Sequence, residues 1–406
     1  MKSQFLLSLL ILFACCHSSS AQRTHSIVIG SVDSLFSETL QEYREIWIYV
    51  PETAQSSTSS KFPVLYLLDG DAYFHSLAGL VKQLSSFGTT VCPEMMVVAI
   101  PNTDRSRDLT PPDPADSTKQ SSGAENFTAF LKDELIPYID SRYPTLPYRT
   151  LFGHSLGGSF VINTLINHPR LFTNYLSIDP GLKFYDYRFL DQAVLAIQED
   201  TYSDQSLFVA VANTLPEAMD TATAMQDTTW ITATTRSNLK FAKSIADDIH
   251  NGLNYDWKYY ADESHASIPT IAEYDALKYF FSWNAIDLDK IIRTDPTISG
   301  KEFIAKVTAH FKEVSRRLNH QVLPPQELVN DLGYYYLEKE AYQDAYLFFS
   351  LNLNHYPENA IPYDSMGEWY AAQSKNNKAI EYFTKAAAKG SPTSKEKLER
   401  FQDSHP

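Results

Sequence analysis

Apolar runs of strand length that alternate with amphipathic segments are the feature that most restricts the fold of this chain. Residues 63–68, 95–100 and 206–211 are nearly continuous apolar runs. Such runs are typical of strands that are buried on both faces of a sheet. Between them, apolar residues recur at helical spacing, as they do over residues 124–143. Strands that alternate with helices predict an α/β fold, with a mostly parallel central sheet and helices on both faces.

The pattern changes near residue 290, where strand-like runs stop and amphipathic helices continue. Gly333 and Gly367 are 34 residues apart, and Phe349 and Phe383 repeat at the same offset. A period of 34 with small residues at fixed helical positions is typical of tetratricopeptide (TPR) repeats, although two unrelated helical hairpins would be an alternative. We predict a small all-α region after the α/β domain, and these hairpins offer a surface for a protein partner. The predicted segments are an α/β domain at 22–290, a helical linker at 291–325, two TPR-like hairpins at 326–392 and a tail at 393–406.

The N-terminal segment resembles a secretory leader. Lys2 precedes a short apolar run over residues 5–16, and a small-x-small pattern ends at Ala21. We therefore predict a signal peptide over residues 1–21, cleavage after Ala21, and export to the periplasm or the exterior. Acylation of Cys15 would instead make the chain a lipoprotein. No second apolar run predicts a membrane span.

Charge and cysteine content exclude several classes of function. The chain of 406 residues has a formal charge of −15, which disfavours nucleic acid as a partner. Cys92 is the only cysteine after the leader, so we predict that it is a buried structural thiol and forms no internal disulfide. The sequence has no metal-ligand spacing and no glycine pattern for nucleotides, so we expect neither a metal nor a cofactor.

Gly153-His154-Ser155-Leu156-Gly157 satisfies the G-x-S-x-G pattern of a nucleophile elbow. An apolar strand leads into this segment and a helical pattern follows it. The glycines allow the backbone to turn sharply, so that the serine hydroxyl is exposed at the end of a strand. We therefore predict that Ser155 is a catalytic nucleophile.

A serine hydroxyl needs a base, and in this arrangement an acid and then a histidine follow the serine along the chain. His265 lies just after a late strand-like run, which favours it as the base. Glu217, after the preceding strand, is the first candidate for the acid, and Asp220 is the second. Glu263 is close to His265 in sequence, which disfavours it, and a Ser-His pair without a strong acid remains an alternative.

The oxyanion of an acyl-transfer intermediate needs two backbone donors. One is expected to be the N–H of Leu156, the residue after the nucleophile. The other is expected at Gly70 or Asp71, in the loop after a buried strand. Three further side chains near predicted strand ends are candidates for substrate contact. They are Tyr73, Arg105 and Tyr185.

Four segments, 64–70, 102–111, 130–140 and 153–158, resemble the putative-esterase family of α/β-hydrolases. The resemblance covers about residues 26–283. This family includes siderophore, feruloyl and acetyl-xylan esterases and S-formylglutathione hydrolase. The resemblance implies an α/β-hydrolase fold and hydrolysis of a carboxylic ester through an acyl-enzyme. It marks Ser155 as nucleophile and His265 as base, and it favours Glu217 over Asp220.

The chain departs from the family near residues 178–186. Relatives often have Ser-Pro-Ser followed by tryptophans there, whereas this chain has Ile178-Asp179-Pro180-Gly181. The pocket lining therefore differs, and both siderophore esters and acylated polysaccharides remain candidate substrates. The alternative function is a catalytically inactive hydrolase domain that acts as a binding or scaffold protein through its helical tail.

Overall fold

The computed structural model describes residues 27–56, 60–86, 91–115, 123–247 and 250–403. The predicted signal peptide and the cysteine that could be acylated lie outside these residues, as do residues 404–406 of the predicted tail. Within the described part of the chain, none of the helices is long and apolar enough to cross a membrane.

Eight strands form one sheet in the order β1-β2-β4-β3-β5-β6-β7-β8. The pairs β1/β2 and β2/β4 are antiparallel, and the strands from β4 to β8 are parallel. The predicted α/β class with a mostly parallel sheet is confirmed. The strands are β1 Ser31–Ser37, β2 Glu42–Tyr49, β3 Phe62–Leu68, β4 Met96–Ile100, β5 Thr145–His154, β6 Asn174–Ile178, β7 Ser206–Ala212 and β8 Asn254–Tyr260.

Helices cover both faces of this sheet, as the nearly continuous apolar strands require. They are α1 Thr53–Ser56, α2 Gly70–Ser85, α3 Arg105–Leu109, α4 Gly123–Ala129, a π-helical turn Phe130–Leu135, α5 Ile136–Arg142, α6 Leu156–Asn167, α7 Arg188–Glu199, α8 Thr221–Gln226, α9 Ala233–Asp247 and α10 Ile268–Phe280. Phe127, Phe160 and Leu239 belong to the core on one face, whereas Leu77 and Ala272 belong to the core on the other. Every central strand is thereby enclosed between two apolar layers.

The carboxyl ends of the parallel strands lie along one edge of the sheet. The loops that follow β3, β4, β5, β6, β7 and β8 therefore meet at that edge, where functional groups of α/β proteins collect. A buried ion pair secures one of these loops. Arg44 of β2 donates from Nη1 to Asp108 of α3 at 2.6 Å, and both side chains are almost fully buried. This contact holds the segment that carries Arg105 against the sheet.

The remainder of the chain is helical. Its helices are α11 Leu288–Thr294, α12 Gly300–Leu318, α13 Gln326–Glu338, α14 Tyr342–His355, α15 Ile361–Ala371, α16 Asn376–Ala388 and α17 Pro392–Asp403. A Cβ atom on Gly333 would lie 2.4 Å from the ring of Phe349, and one on Gly367 would lie 2.5 Å from the ring of Phe383. The two hairpins thus make the same close contact 34 residues apart. Their assignment as TPR repeats stays a prediction, as do the exact domain boundaries.

The helical region packs on the amino end of the sheet. Val314 and Leu318 of α12 form an apolar cluster with Leu146 of β5, and Arg317 lies over the ring of Trp283 with 5.5 Å to its centroid. Leu146 is eight residues before the carboxyl end of β5 at His154. At about 3.3 Å per residue, the two ends are about 26 Å apart. The helical region therefore docks far from the strand ends that carry the serine.

Glu273 of α10 is a carboxyl group inside one apolar layer. It is 1% exposed, and its Oε2 has no hydrogen-bond partner among the described residues. Burial raises its pKa from 4.5 to about 8. Between these two pH values the folded chain keeps a proton that the unfolded chain has lost. Stability therefore falls as the pH rises through this window.

We expect Glu273→Gln to remove this loss, because the amide is neutral at every pH. The free energy of unfolding of the variant should exceed that of the unmodified protein by about 4 kcal/mol at pH 8, and by far less at pH 5. Urea denaturation at both pH values measures the difference. Glu199→Gln, at an exposed position on α7, is the control. Equal effects of Glu273→Gln at pH 5 and pH 8 would contradict the prediction.

Candidate active site

Ser155 occupies a sharp turn between β5 and α6, with φ 59° and ψ −117°. A non-glycine residue in such a conformation costs on the order of 1–3 kcal/mol. The neighbouring glycines make the turn sterically feasible. A Cβ on Gly153 would lie 2.4 Å from the carbonyl oxygen of Gly157, and one on Gly158 would lie 3.0 Å from that of Ile178. The N–H of Ser155 donates to Ile178 O at 2.8 Å, which ties the turn to β6.

His265 lies in the loop after β8 and contacts a carboxylate that follows β6. Its Nδ1 lies 2.5 Å from Oδ2 of Asp179. The carboxylate is fully buried, whereas the imidazole side chain is 43% exposed. Two further donors reach Oδ1 of Asp179. They are the N–H of Ala212 at 3.1 Å and Nδ2 of Asn238 at 2.9 Å. Because a buried carboxylate must be paired, these three contacts account for its place in the core.

The carboxylate that contacts His265 is not the one expected from the sequence. Glu217 is exposed in the turn after β7, and Asp220 caps α8, so neither occupies the position beside His265. The carboxylate of Glu263 is not the partner either. Asp179 takes this place, immediately after a fully buried strand and with a left-handed φ of 40°. The signal in the sequence was an aspartate at the end of an apolar run, followed by Pro-Gly.

The predicted oxyanion donors lie at two adjacent helix N-termini. Leu156 is the first residue of α6, and Gly70 and Asp71 open α2. The first N–H groups of a helix have no acceptor within the helix. A Cβ on Gly157 would lie 3.2 Å from Oδ2 of Asp69, so the loop before α2 abuts the serine turn. The structure thus brings the predicted donors together, and their role remains a proposal.

Arg105 contacts the loop before α2 and the serine turn. Its Nε donates to Oδ1 of Asp69 at 2.5 Å, and its Nη2 donates to Oδ2 of Asp69 at 3.0 Å. Nη2 also donates to the carbonyl oxygen of His154 at 3.2 Å. The guanidinium therefore braces the backbone that leads into Ser155. The substrate contact predicted from the sequence would have to be made by the part of the Arg105 side chain that is still exposed to solvent.

The two tyrosines predicted to contact substrate also have partners within the protein. The hydroxyl of Tyr73 lies 3.0 Å from Nδ1 of His154. The hydroxyl of Tyr185 donates to Pro111 O at 2.8 Å. Tyr185, Asp186 and Tyr187 all have positive φ, which makes this wall of the site a strained turn.

His154, the residue before the nucleophile, was not predicted as part of the site. Its ring centroid is 4.5 Å from that of His265, with the planes at 41°. Burial, and secondarily electrostatic repulsion between the two imidazoles, lower the pKa of His154 to about 4. His154 is therefore neutral at physiological pH. The described residues contain no cluster of His, Cys, Asp and Glu side chains that could hold a metal ion.

Known proteins resemble this chain in sequence and in fold. The family model described as putative esterase matches residues 37–265. Ferri-bacillibactin esterase BesA of Bacillus subtilis is 27% identical over 177 residues, which are 39% of this chain and 61% of that protein. Apo-salmochelin esterase of Escherichia coli is 30% identical over 177 residues, which are 38% of this chain and 53% of that protein. The chain thus spans between half and two thirds of the length of these curated relatives.

A solved structure extends the likeness beyond the sequence matches. The crystal structure of an IroE-like serine hydrolase from Shewanella oneidensis is 28% identical, with a TM-score of 0.63. The alignment covers 80% of this chain and 99% of that one. It agrees with the predicted α/β-hydrolase fold. Since the family model covers more than half of the 406 residues, this chain belongs to the putative-esterase family.

Proposed function

We propose that this protein hydrolyses carboxylic esters through an acyl-enzyme formed on Ser155. One observation carries the proposal. A serine in a strained turn and a histidine paired with a buried carboxylate lie at the same edge of the sheet. Membership of the putative-esterase family and the names of the relatives support the same reaction class.

In the first half of the reaction, Oγ of Ser155 attacks the ester carbonyl carbon while Nε2 of His265 accepts the hydroxyl proton. The N–H of Leu156, together with that of Gly70 or Asp71, holds the developing oxyanion. The carbon–oxygen bond to the alcohol then breaks, and His265 returns the proton to the leaving oxygen. Asp179 keeps the proton of the neutral imidazole on Nδ1, so that Nε2 faces the serine as an acceptor.

In the second half, His265 accepts a proton from water, and the hydroxide attacks the acyl carbon. The second oxyanion collapses, the bond to Oγ breaks, and Ser155 regains its proton from His265. The carboxylic acid leaves. No cofactor takes part in these steps.

The substrate class that the comparisons support best is a siderophore ester. The two curated relatives are named as esterases of ferri-bacillibactin and of apo-salmochelin. Acylated polysaccharides are the competing class. The predicted leader at residues 1–21 would place the enzyme outside the cytoplasm, and the helical hairpins would be free to bind a protein partner. An inactive scaffold is disfavoured, because a structural protein does not require a carboxylate-histidine pair and a strained serine at the same edge of the sheet.

We expect Ser155→Ala to lower kcat for p-nitrophenyl butyrate by about 10⁴-fold or more, because the variant has no nucleophile. A fluorophosphonate should label the unmodified protein at Ser155 and leave the variant unlabelled. Ser203→Ala, at an exposed position away from the site, is the matched control. Absence of both turnover and labelling in the unmodified protein would reject the enzyme and leave the scaffold.

We expect Asp179→Asn to lower kcat by about 10³- to 10⁴-fold, because an amide no longer holds the base in the required tautomer. Glu217→Gln and Asp220→Asn should stay within about twofold of the unmodified kcat, since exposed substitutions away from the site have small effects. Steady-state kinetics of the three purified variants makes the comparison. A large loss in Glu217→Gln with an active Asp179→Asn would return the acid to the position expected from the sequence.

We expect kcat/KM to be at least about 100-fold higher for a siderophore trilactone than for a feruloylated sugar or acetylated xylan, which corresponds to about 3 kcal/mol of differential transition-state binding. Product release followed by liquid chromatography measures all three substrates with the same enzyme. The Ser155→Ala variant supplies the background rate. Preference for either polysaccharide ester would overturn the substrate class but leave the reaction class intact.

A further inference from the structure

We propose that Tyr73 and His154 form a positioning unit for the catalytic base, in which the buried ring of His154 fixes the orientation of the His265 imidazole. The inference rests on the proposed function of His265 as base. It assigns to Tyr73 a role other than the substrate contact that the sequence suggested. It also assigns a positioning role to His154, the histidine of the serine turn.

The first step concerns the freedom of the His265 ring. A single hydrogen bond from Nδ1 to Asp179 holds one atom of the imidazole at 2.5 Å but allows the ring to swing about that atom. Nε2 must nevertheless point at Oγ of Ser155 in each half of the reaction. Because the His265 side chain is 43% exposed, solvent provides no restraint. A second contact on the ring is needed, and small displacements of a catalytic group cost large factors in rate.

His154 supplies this second contact. The two imidazole centroids are 4.5 Å apart, so the rings are in van der Waals contact. His154 is 8% exposed and lies at the end of β5, where the sheet and the serine turn fix its backbone. It therefore offers an immobile surface, adjacent in sequence to the nucleophile, for the side chain that must approach Ser155.

The charge of His154 suits this position. A cationic ring there would repel the imidazolium that forms when His265 accepts a proton. Burial and the proximity of His265 lower the pKa of His154, while the carboxylates of Asp179 and Asp69 act in the opposite direction with smaller effect. His154 therefore stays neutral while His265 changes charge.

Tyr73 fixes the orientation of His154. Its hydroxyl lies 3.0 Å from Nδ1 of His154, and the two rings meet edge to face with their planes at 89°. Burial raises the pKa of Tyr73, so its hydroxyl remains protonated and able to donate. Tyr73 lies in the first turn of α2, two residues after Asp71. The turn that carries the predicted oxyanion donor thus also orients the base, through two aromatic rings.

Tyr73→Phe keeps the ring and removes the hydroxyl, and it should lower kcat about tenfold with KM within about twofold. His154→Phe keeps a ring against His265 and should retain several times the kcat of His154→Ala. In the His154→Phe background, Tyr73→Phe should have no further effect beyond about twofold, because the two residues act in series. Steady-state kinetics with p-nitrophenyl butyrate measures the three single variants and the double variant.

Tyr202→Phe is the control, because it removes a buried tyrosine hydroxyl that lies away from the site and has no partner among the described residues. Melting temperatures of all variants identify losses of folding. An unchanged kcat in Tyr73→Phe, a rise in KM alone, or additive effects in the double variant would overturn the proposal. So would a loss of kcat that only follows a loss of folding. An inactive and unlabelled unmodified protein would instead reject the proposed function.

Discussion

The contact between His265 and Asp179 is the interaction on which the candidate site depends. The carboxylate follows β6 and accepts hydrogen bonds from the N–H of Ala212 at the end of β7 and from Asn238 of α9. It also contacts the imidazole of His265 from the loop after β8. One buried side chain thereby joins three adjacent strands and a helix. It can be buried only because every oxygen has a donor, and those donors exist only when the parallel sheet is complete. The site is consequently a product of the folded sheet and not of any single loop.

The loops on the other side of Ser155 also depend on hydrogen bonds to a buried carboxylate, that of Asp69. Asp69, with a left-handed φ of 53°, accepts from Arg105 and from Asn102, and Arg105 also reaches the backbone of the serine turn. The buried pair of Arg44 and Asp108 fixes the helix that carries Arg105. The loops after β3, β4 and β5 are therefore locked together by charge-assisted hydrogen bonds, which are stronger than neutral ones. These hydrogen bonds can hold the strained turn at Ser155 and the N-termini of α2 and α6 at fixed distances from one another.

The helical region occupies the opposite end of the molecule. It packs through Val314 and Leu318 on the amino end of β5, about 26 Å from the carboxyl end by strand length. Its docking surface and the site at the strand ends do not compete for the same loops. Partner binding by the hairpins and ester hydrolysis at the serine could thus coexist in one chain. The physical reason is that the amino ends and the carboxyl ends of parallel strands lie at two separate edges of the sheet.

The sequence by itself determined the class of the fold and the position of the serine turn, and it selected His265 as the candidate base. Continuously apolar strands specify burial on both faces, glycines at 153 and 157 specify the sharp turn, and few histidines follow Ser155 at a strand end. Tertiary structure alone decided which carboxylate contacts His265. Asp179 follows β6 and Glu217 follows β7, and the two strands are paired with Ile178 opposite Ala210. Adjacent parallel strands end at the same edge of the sheet. Along the chain, both carboxylates therefore follow a strand after Ser155 and precede His265, as the expected acid should. Only the packed sheet shows which carboxylate is buried beside His265. The same holds for Tyr73 and His154, because residues 81 positions apart meet only when α2 is packed on the sheet.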